Sequence, residues 1–316
     1  MFMKKVNVLL PVYNGERFIR EQLDCLLAQT YKDLDIYVRD DGSSDSTMDI
    51  IKEYANKEPD NFRFHIVESN GVNLGYPDCF WELLKISEPA DYYSFCDQDD
   101  FWYPEKIESA ISLIEKEEEK VGKNIPIMSF CNFDYCDEKM NFVRNNDTYT
   151  DITRLKFYNG MYYTYAPGFT QVINKAMAET VQVDKLFGHK LAHDLWCQWV
   201  ASACGKILYD DNIRAHYRRH GEAVTAANIS KMKSLKLWWN KEVKGDQIVV
   251  WKNCLCYFKE LFYDKAHSEA QKSLSIFGTK QNSIGNKFRK LFFLHRLRPS
   301  LGGDGALRVL ILKGKC

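Results

Sequence analysis

The chain has 316 residues, 45% of them apolar and 27% charged, enough to bury one large core or two unequal ones. Lysine plus arginine equals aspartate plus glutamate, 43 each, so no global charge argues for nucleic acid as a partner. No apolar stretch approaches the roughly 20 residues needed to cross a bilayer, and the scattered cysteines, without a CxxC pair or a secretory signal at Met1–Val6, predict reduced thiols in a cytoplasm.

Residues 6–11 form a short apolar run that halts at Pro11, and Tyr13-Asn14-Gly15-Glu16 reads as a loop entering a helix. Across 18–27 the apolar residues Phe18/Ile19, Leu23 and Leu26/Leu27 fall at helical spacing. A strand is expected at 34–38, ending in Arg39-Asp40-Asp41-Gly42-Ser43, followed by a helix at 47–54 and a strand at 62–67. Next come a helix at 80–86, a strand at 92–96 and a helix at 104–119 with proline near its first turn. This alternation predicts an α/β fold with a mainly parallel sheet and helices on both faces. Ligands of such sheets collect at the C-terminal ends of the strands. Residues 125–221 are more mixed, and after 227 the segments 235–239 and 248–262 read as helices without a motif. A boundary is expected near residue 225.

Asp97-Gln98-Asp99-Asp100 directly follows an apolar strand. Carboxylates this close repel one another unless a cation offsets them, and oxygen ligands suit Mg²⁺ or Mn²⁺. An acidic turn with Asp100 capping the next helix is the competing reading. Asp40-Asp41-Gly42-Ser43-Ser44-Asp45 closes a second strand, and its residues equally suit a turn and helix cap. Two acidic strand ends in one parallel sheet would converge on one crevice.

The ordered series Pro11-Val12-Tyr13-Asn14-Gly15-Glu16, Gln29-Thr30-Tyr31, Asp40-Asp41-Gly42-Ser43-Ser44-Asp45, Asn73-Leu74-Gly75 and Cys96-Asp97-Gln98-Asp99-Asp100-Phe101-Trp102 resembles the family 2 glycosyltransferases, inverting enzymes of GT-A fold. The likeness continues through Gly168-Phe169, His193-Asp194-Leu195-Trp196 and Tyr217-Arg218-Arg219-His220-Gly221, and so covers about residues 4–225. Its Asp-Gln-Asp-Asp-Phe-Trp form is similar to bacterial members that build surface glycans, including rhamnosyltransferase-like ones.

The resemblance implies a catalytic domain at 1–225, with the nucleotide sugar held by about 1–105 and the acceptor by about 106–225, and a helical C-terminal region at 226–316. Pro11, Tyr13 and Glu16 would line the nucleoside pocket. Asp41 would accept the hydrogen of a pyrimidine N3, with Asp40 beside it. Asp97 would face the ribose or metal. Asp99 would be the main ligand of Mn²⁺ or Mg²⁺, and His220 would close the site on metal or phosphate, with His216 as its nearest rival. Arg218 and Arg219 would add positive charge for the leaving group. Asp194 would be the general base that an inverting displacement needs, although aspartate there also suits a helix cap. His193, Trp102 and Gly168 would serve the acceptor side. The partners implied are a UDP- or dTDP-sugar and a glycan, lipid-linked or protein-linked acceptor. The chain departs from many relatives after Asn73-Leu74-Gly75, where Tyr76-Pro77-Asp78-Cys79 replaces an arginine and an asparagine.

Residues 281–316 hold eight basic side chains, Lys287, Arg289, Lys290, Arg296, Arg298, Arg308, Lys313 and Lys315, against the single acid Asp304. With Leu291, Phe292, Phe293, Leu294 and Leu297 between them, this tail suits either peripheral contact with an anionic membrane or packing on the catalytic domain or a second subunit. Trp238 and Trp239 read as core or as an oligomer contact. The rival functions are a sugar-phosphate nucleotidyltransferase, which would want a glycine-rich basic loop in place of residues 11–17, and a catalytically inactive module of the same fold.

Overall fold

A computed structural model describes residues 4–57, 62–69, 71–146, 156–220, 239–280 and 283–316. The expected boundary near 225, Gly221, Trp238 and most of the helix expected at 235–239 lie outside the described residues.

The first half alternates as its sequence predicts. Strands β1 (Val6–Val12), β2 (Leu34–Asp40), β3 (Phe62–Val67) and β4 (Tyr92–Phe95) pair in parallel in the order β3-β2-β1-β4. Helices α1 (Ile19–Leu27), α2 (Thr47–Ala55) and α3 (Asp78–Ile86) make the crossovers. Strands covered on both faces need apolar residues at consecutive positions. Hence Val6, Val8, Leu10 and Val12 pack with Leu23, Leu26 and Ile51 of α1 and α2, whereas Leu9 packs on the other face with Phe80 and Leu83 of α3.

Beyond β4 the sheet becomes mixed. The short β5 (Phe101–Trp102) precedes α4 (Lys106–Val121), β6 (Ile127–Asp137) and β7 (Phe142–Asn145). After these come α5 (Phe157–Gly160), β8 (Gln171–Asn174), α6 (Lys175–Thr180), α7 (His193–Cys204) and β9 (Lys206–Arg219). β8 runs antiparallel between β4 and β6, β9 runs parallel to β6, and β5 caps the edge of β9 antiparallel. Thus β1, β2, β3, β4, β6 and β9 share one direction. The β6–β9 register shifts around Asn132, a bulge of the kind that bends a strand and re-aims its far end. Past that bend, β9 carries Arg218, and His220 just beyond its end, towards the end of β4.

The C-terminal helices α8 (Gln247–Phe262), α9 (Ser268–Phe277), α10 (Ile284–Leu291) and α11 (Leu301–Leu312) come after a π-helical turn at Trp239–Lys244. They extend the core on the α3 side. Phe258 of α8 lies 5.7 Å from Phe157, 5.3 Å from Trp196 and 5.7 Å from Trp199, measured between ring centroids. Leu297, Leu307, Leu310 and Ile311 belong to the same buried cluster. Trp239 is half exposed, with the Lys313 ammonium 5.8 Å from its ring.

The tail's basic residues divide into two kinds. Arg298 is buried and makes a bidentate pair with Glu242 at 2.9 and 3.0 Å, Arg308 holds Asp304 at 2.8 Å, and Lys315 donates to the carbonyls of Val243 and Gly245. Leucine at Arg298 removes this bidentate pair and the donor to the Tyr162 carbonyl from a mostly buried site. We expect it to lower unfolding stability by about 3–5 kcal/mol, measured by urea titration.

Candidate active site

The chain reverses its direction of travel across the sheet at β1, with β2 on one side and β4 on the other. The crevice at this switch point has a volume of about 730 Å³ and is lined from the ends of all three strands, including Pro11 at the end of β1 and Tyr13 after it, Asp41 after β2, and Asp97 and Asp99 after β4. Glu16 and His220 also line it.

Its entrance loop is held by side chains from both neighbouring strand ends. The Gln98 amide brackets Tyr13, its Oε1 accepting the Tyr13 N–H at 2.9 Å and its Nε2 donating to the Tyr13 carbonyl at 3.0 Å. A Cβ on Gly15 would overlap that amide. Glu16 accepts from the Ser46 amide at 3.0 Å while Asp45 accepts from the Glu16 amide at 3.1 Å. The Tyr13 ring stays half exposed, leaving a flat face of the type on which a base stacks.

Asp41 is buried and accepts the amides of Leu74 at 2.8 Å and Gly75 at 2.7 Å as well as an ion pair from Arg39. Three of a carboxylate's roughly four acceptor directions are thereby used. Asp40 departs from its expected role: its Oδ1 closes the turn by accepting the Ser43 amide at 2.9 Å, and it does not line the crevice.

On the other side, His220 Nε2 meets Asp99 Oδ2 at 2.7 Å across 121 residues of sequence. The imidazole is nearly buried, its ring 4.6 Å from that of Phe18, and its Nδ1 has no hydrogen-bond partner among the described residues. Burial first, then the charges of Asp99 and Asp194, push the Asp97 carboxyl well above the ordinary carboxylate range. Asp100 is no helix cap. It is buried, accepts the Arg218 amide at 3.1 Å, and α4 begins only at Lys106. Asp97, Asp99 and His220 line the same crevice and offer the oxygen and nitrogen ligand types that a divalent cation accepts. The orphaned imidazole nitrogen and the proton-retaining Asp97 agree with that fit. Asp97, Asp99 and His220 are the side chains that would hold it.

The crowding gives a prediction for the metal-free protein. A carboxyl whose folded pKa lies above its unfolded value adds stability below about pH 4, and that stability is lost as pH rises towards neutrality. Asp97→Asn removes the ionising group, so we expect a melting temperature in EDTA at pH 7.5 higher than wild type, with the gap closing towards pH 4.

Asp194 lies in the first turn of α7 and is half-buried. Burial raises its pKa to about 6, opposed by hydrogen bonds from the backbone amides of Leu195 and Gly168. Gly168 is therefore a neighbour of Asp194, and its missing Cβ leaves room for the His193 ring.

Four other expected site residues do not line the crevice. His193 points into the core, 2% exposed, its ring 4.0 Å from that of Phe80 and 4.7 Å from that of Phe95. Burial lowers its pKa to about 3, so the imidazole is neutral, and it is not among the crevice-lining residues. Trp102 is likewise buried, with the Lys106 ammonium 3.5 Å over its ring. Arg218 is a buried brace that pairs with Glu21 of α1 and donates to the carbonyls of Asp99 and Glu138, both at 2.8 Å. Arg219 lies over the rings of Tyr135 and Tyr217, away from the crevice lining. For His193 and Arg218 a partner distant in sequence claims the side chain.

Asp134, Cys136 and His216 form a second group whose ligand-type atoms lie within 4.8 Å of one another. Both His216 nitrogens are engaged, Nδ1 with Asp134 and Nε2 with the Tyr103 hydroxyl at 2.9 Å. Sequence reasoning passed over Gln98, Arg17 and Tyr76. Arg17 lines the crevice and pairs with Glu138. Tyr76, at the departure from the family pattern, is half exposed in the crevice wall and meets His193 edge-on at 5.7 Å.

Comparison with known proteins identifies the family and the fold. Residues 7–171 match the sequence profile of Glycosyl transferase family 2. The dTDP-rhamnosyl transferase RfbG of Shigella flexneri is 28% identical over 258 residues, 74% of this chain and 82% of that one. An uncharacterised glycosyltransferase of Rickettsia typhi is 25% identical over 247 residues, 76% and 71% of the two chains. Among solved structures, residues 1–349 of S. aureus TarS in complex with UDP-GlcNAc align with a TM-score of 0.54 at 17% identity, over 84% of this chain and 77% of that one. The Pyrobaculum calidifontis mannosyltransferase PcManGT, in complex with GDP-Man and Mn²⁺, aligns at 0.53 with 14% identity, over 91% and 72%. The fold is GT-A, and the chain belongs to glycosyltransferase family 2.

Proposed function

We propose that the chain transfers a sugar, with inversion, from a UDP- or dTDP-sugar to a hydroxyl of a glycan, lipid-linked or protein-linked acceptor in bacterial glycan assembly on the cytoplasmic side. The observation that carries this reading is the single crevice in which Tyr13 and Asp41 face Asp97, Asp99 and His220, with the charge of Asp194 reaching Asp97. The base stacks on Tyr13 and its N3 hydrogen meets the remaining acceptor direction of Asp41. Asp97 and Asp99 lie on the diphosphate side. Asp97, Asp99 and His220 would hold a divalent cation there, which would supply positive charge to the departing diphosphate. Asp194 removes the acceptor proton as the hydroxyl attacks the anomeric carbon from the face opposite the diphosphate, through an oxocarbenium-like transition state. A pKa near 6 keeps this carboxylate ionised at neutral pH and more basic than an ordinary aspartate.

The name of the Shigella relative supports a dTDP-deoxysugar donor, and the TarS complex supports a UDP-sugar. The PcManGT complex supports manganese. The test is a panel of nucleotide sugars incubated with Mn²⁺ or Mg²⁺. We expect nucleoside diphosphate release from one or more pyrimidine donors, suppressed by EDTA. Release of pyrophosphate from a nucleoside triphosphate and a sugar phosphate would instead make the chain a nucleotidyltransferase, and inertness towards every donor would leave a binding module.

A further inference from the structure

Helix α10 is turned inside out. Its one fully buried side chain is Lys290, 1% exposed, while Ile284 is 76% and Phe288 56% exposed. Phe292 and Leu294, just past its end, are 68% and 95% exposed. Positions 284, 288 and 292 fall four apart and make one stripe along a helix. The rings of Phe288 and Phe292 lie parallel, 6.0 Å between centroids and 3° between planes.

The stripe is fixed in place. Arg308 of α11 donates to the carbonyls of Leu291, Phe293 at 3.0 Å and His295 at 3.1 Å, and the chain returns to the core at Leu297 and Arg298. The apolar side chains are thus held out to solvent by a braced backbone, where exposure is unfavourable unless something covers them.

What covers them is indicated by charge. Arg289 and Arg296 are exposed beside the stripe, Lys287 is half-buried next to it, and residues 283–300 contain no aspartate or glutamate. Because the whole chain balances 43 cations with 43 anions, this is a local concentration. A second copy docked about a two-fold axis would set the same cations against themselves. An anionic surface with an apolar interior matches both the charge and the stripe. We propose that α10 and the Phe292–Leu294 turn dock the protein on an anionic lipid surface, the phenylalanines and leucine entering the headgroup–acyl boundary and the arginines meeting lipid phosphates. This docking does not rest on the sugar-transfer reading, since vesicle binding requires no donor.

The test is sedimentation of the full chain with vesicles of phosphatidylcholine alone or mixed with phosphatidylglycerol. Binding to the anionic vesicles is expected to be roughly tenfold or more stronger than to the neutral ones and to weaken with salt. Phe288→Ser with Phe292→Ser, and separately Arg289→Glu with Arg296→Glu, should each reduce the anionic partition at least about tenfold while keeping the wild-type melting temperature. A wild-type chain left in the supernatant with anionic vesicles overturns the proposal. So does a phenylalanine variant that sediments like wild type, or a wild-type dimer that this variant converts to monomer without any vesicle uptake.

Discussion

Asp194→Asn is expected to lower turnover by about 10²–10⁴-fold while leaving nucleotide-sugar affinity near wild type. Asparagine keeps the size and accepts hydrogen bonds through one oxygen, so the contacts from the Leu195 and Gly168 amides need not be lost. What disappears is the capacity to take a proton. The pH dependence comes from the raised pKa. The active form is the carboxylate, so wild-type kcat/KM should fall as pH drops through about 6, with a slope approaching one per pH unit contributed by this group. The asparagine variant should lack that contribution. Diphosphate release across pH 5–8, paired with calorimetric titration of the donor, separates the two effects. Wild-type turnover in the variant would remove Asp194 from its role.

Asp99→Ala should abolish metal-stimulated turnover, by at least about a hundredfold, and weaken Mn²⁺ binding together with it. Asp99 is joined to His220 at 2.7 Å, so its loss removes one ligand and leaves the second without its partner. His220→Ala should show the same kind of loss to a smaller extent, because the neighbouring carboxylates remain. Electron paramagnetic resonance reads this directly: free Mn²⁺ keeps its six-line signal when the variants are added, and the wild-type chain diminishes it. An Asp99→Ala variant that takes up Mn²⁺ and turns over donor like wild type would sink the assignment of this corner as the metal site.

The elements of the first half were legible because their signals are local. Apolar runs broken by Pro11 or Asp40-Asp41 are written in consecutive residues, and the observed strands and helices lie within about two residues of the expected ones. The convergence of the two acidic strand ends was equally legible, since a parallel sheet gathers its C-terminal ends on one side. The fate of individual side chains was not legible in this way. Arg218 looks like a phosphate ligand until Glu21, 197 residues away, claims it. His193 stands next to Asp194 in sequence, yet α7 turns it into the aromatic core while Asp194 stays only half-buried. The tail had the composition of a basic amphipathic helix, but only the structure separates the cations held by Glu242, Asp304 and backbone carbonyls from those left outside.

The packing of α8 against α7 bears on how this enzyme can be re-engineered. Asp194 opens α7, and within two turns along the same helix Trp196 and Trp199 are clasped by Phe258. A chimera that grafts acceptor preference from a homologue must therefore exchange α7 and the helices after residue 247 as a single block. A seam cut between them would leave mismatched aromatic rings on either side and shift Asp194 at the start of α7.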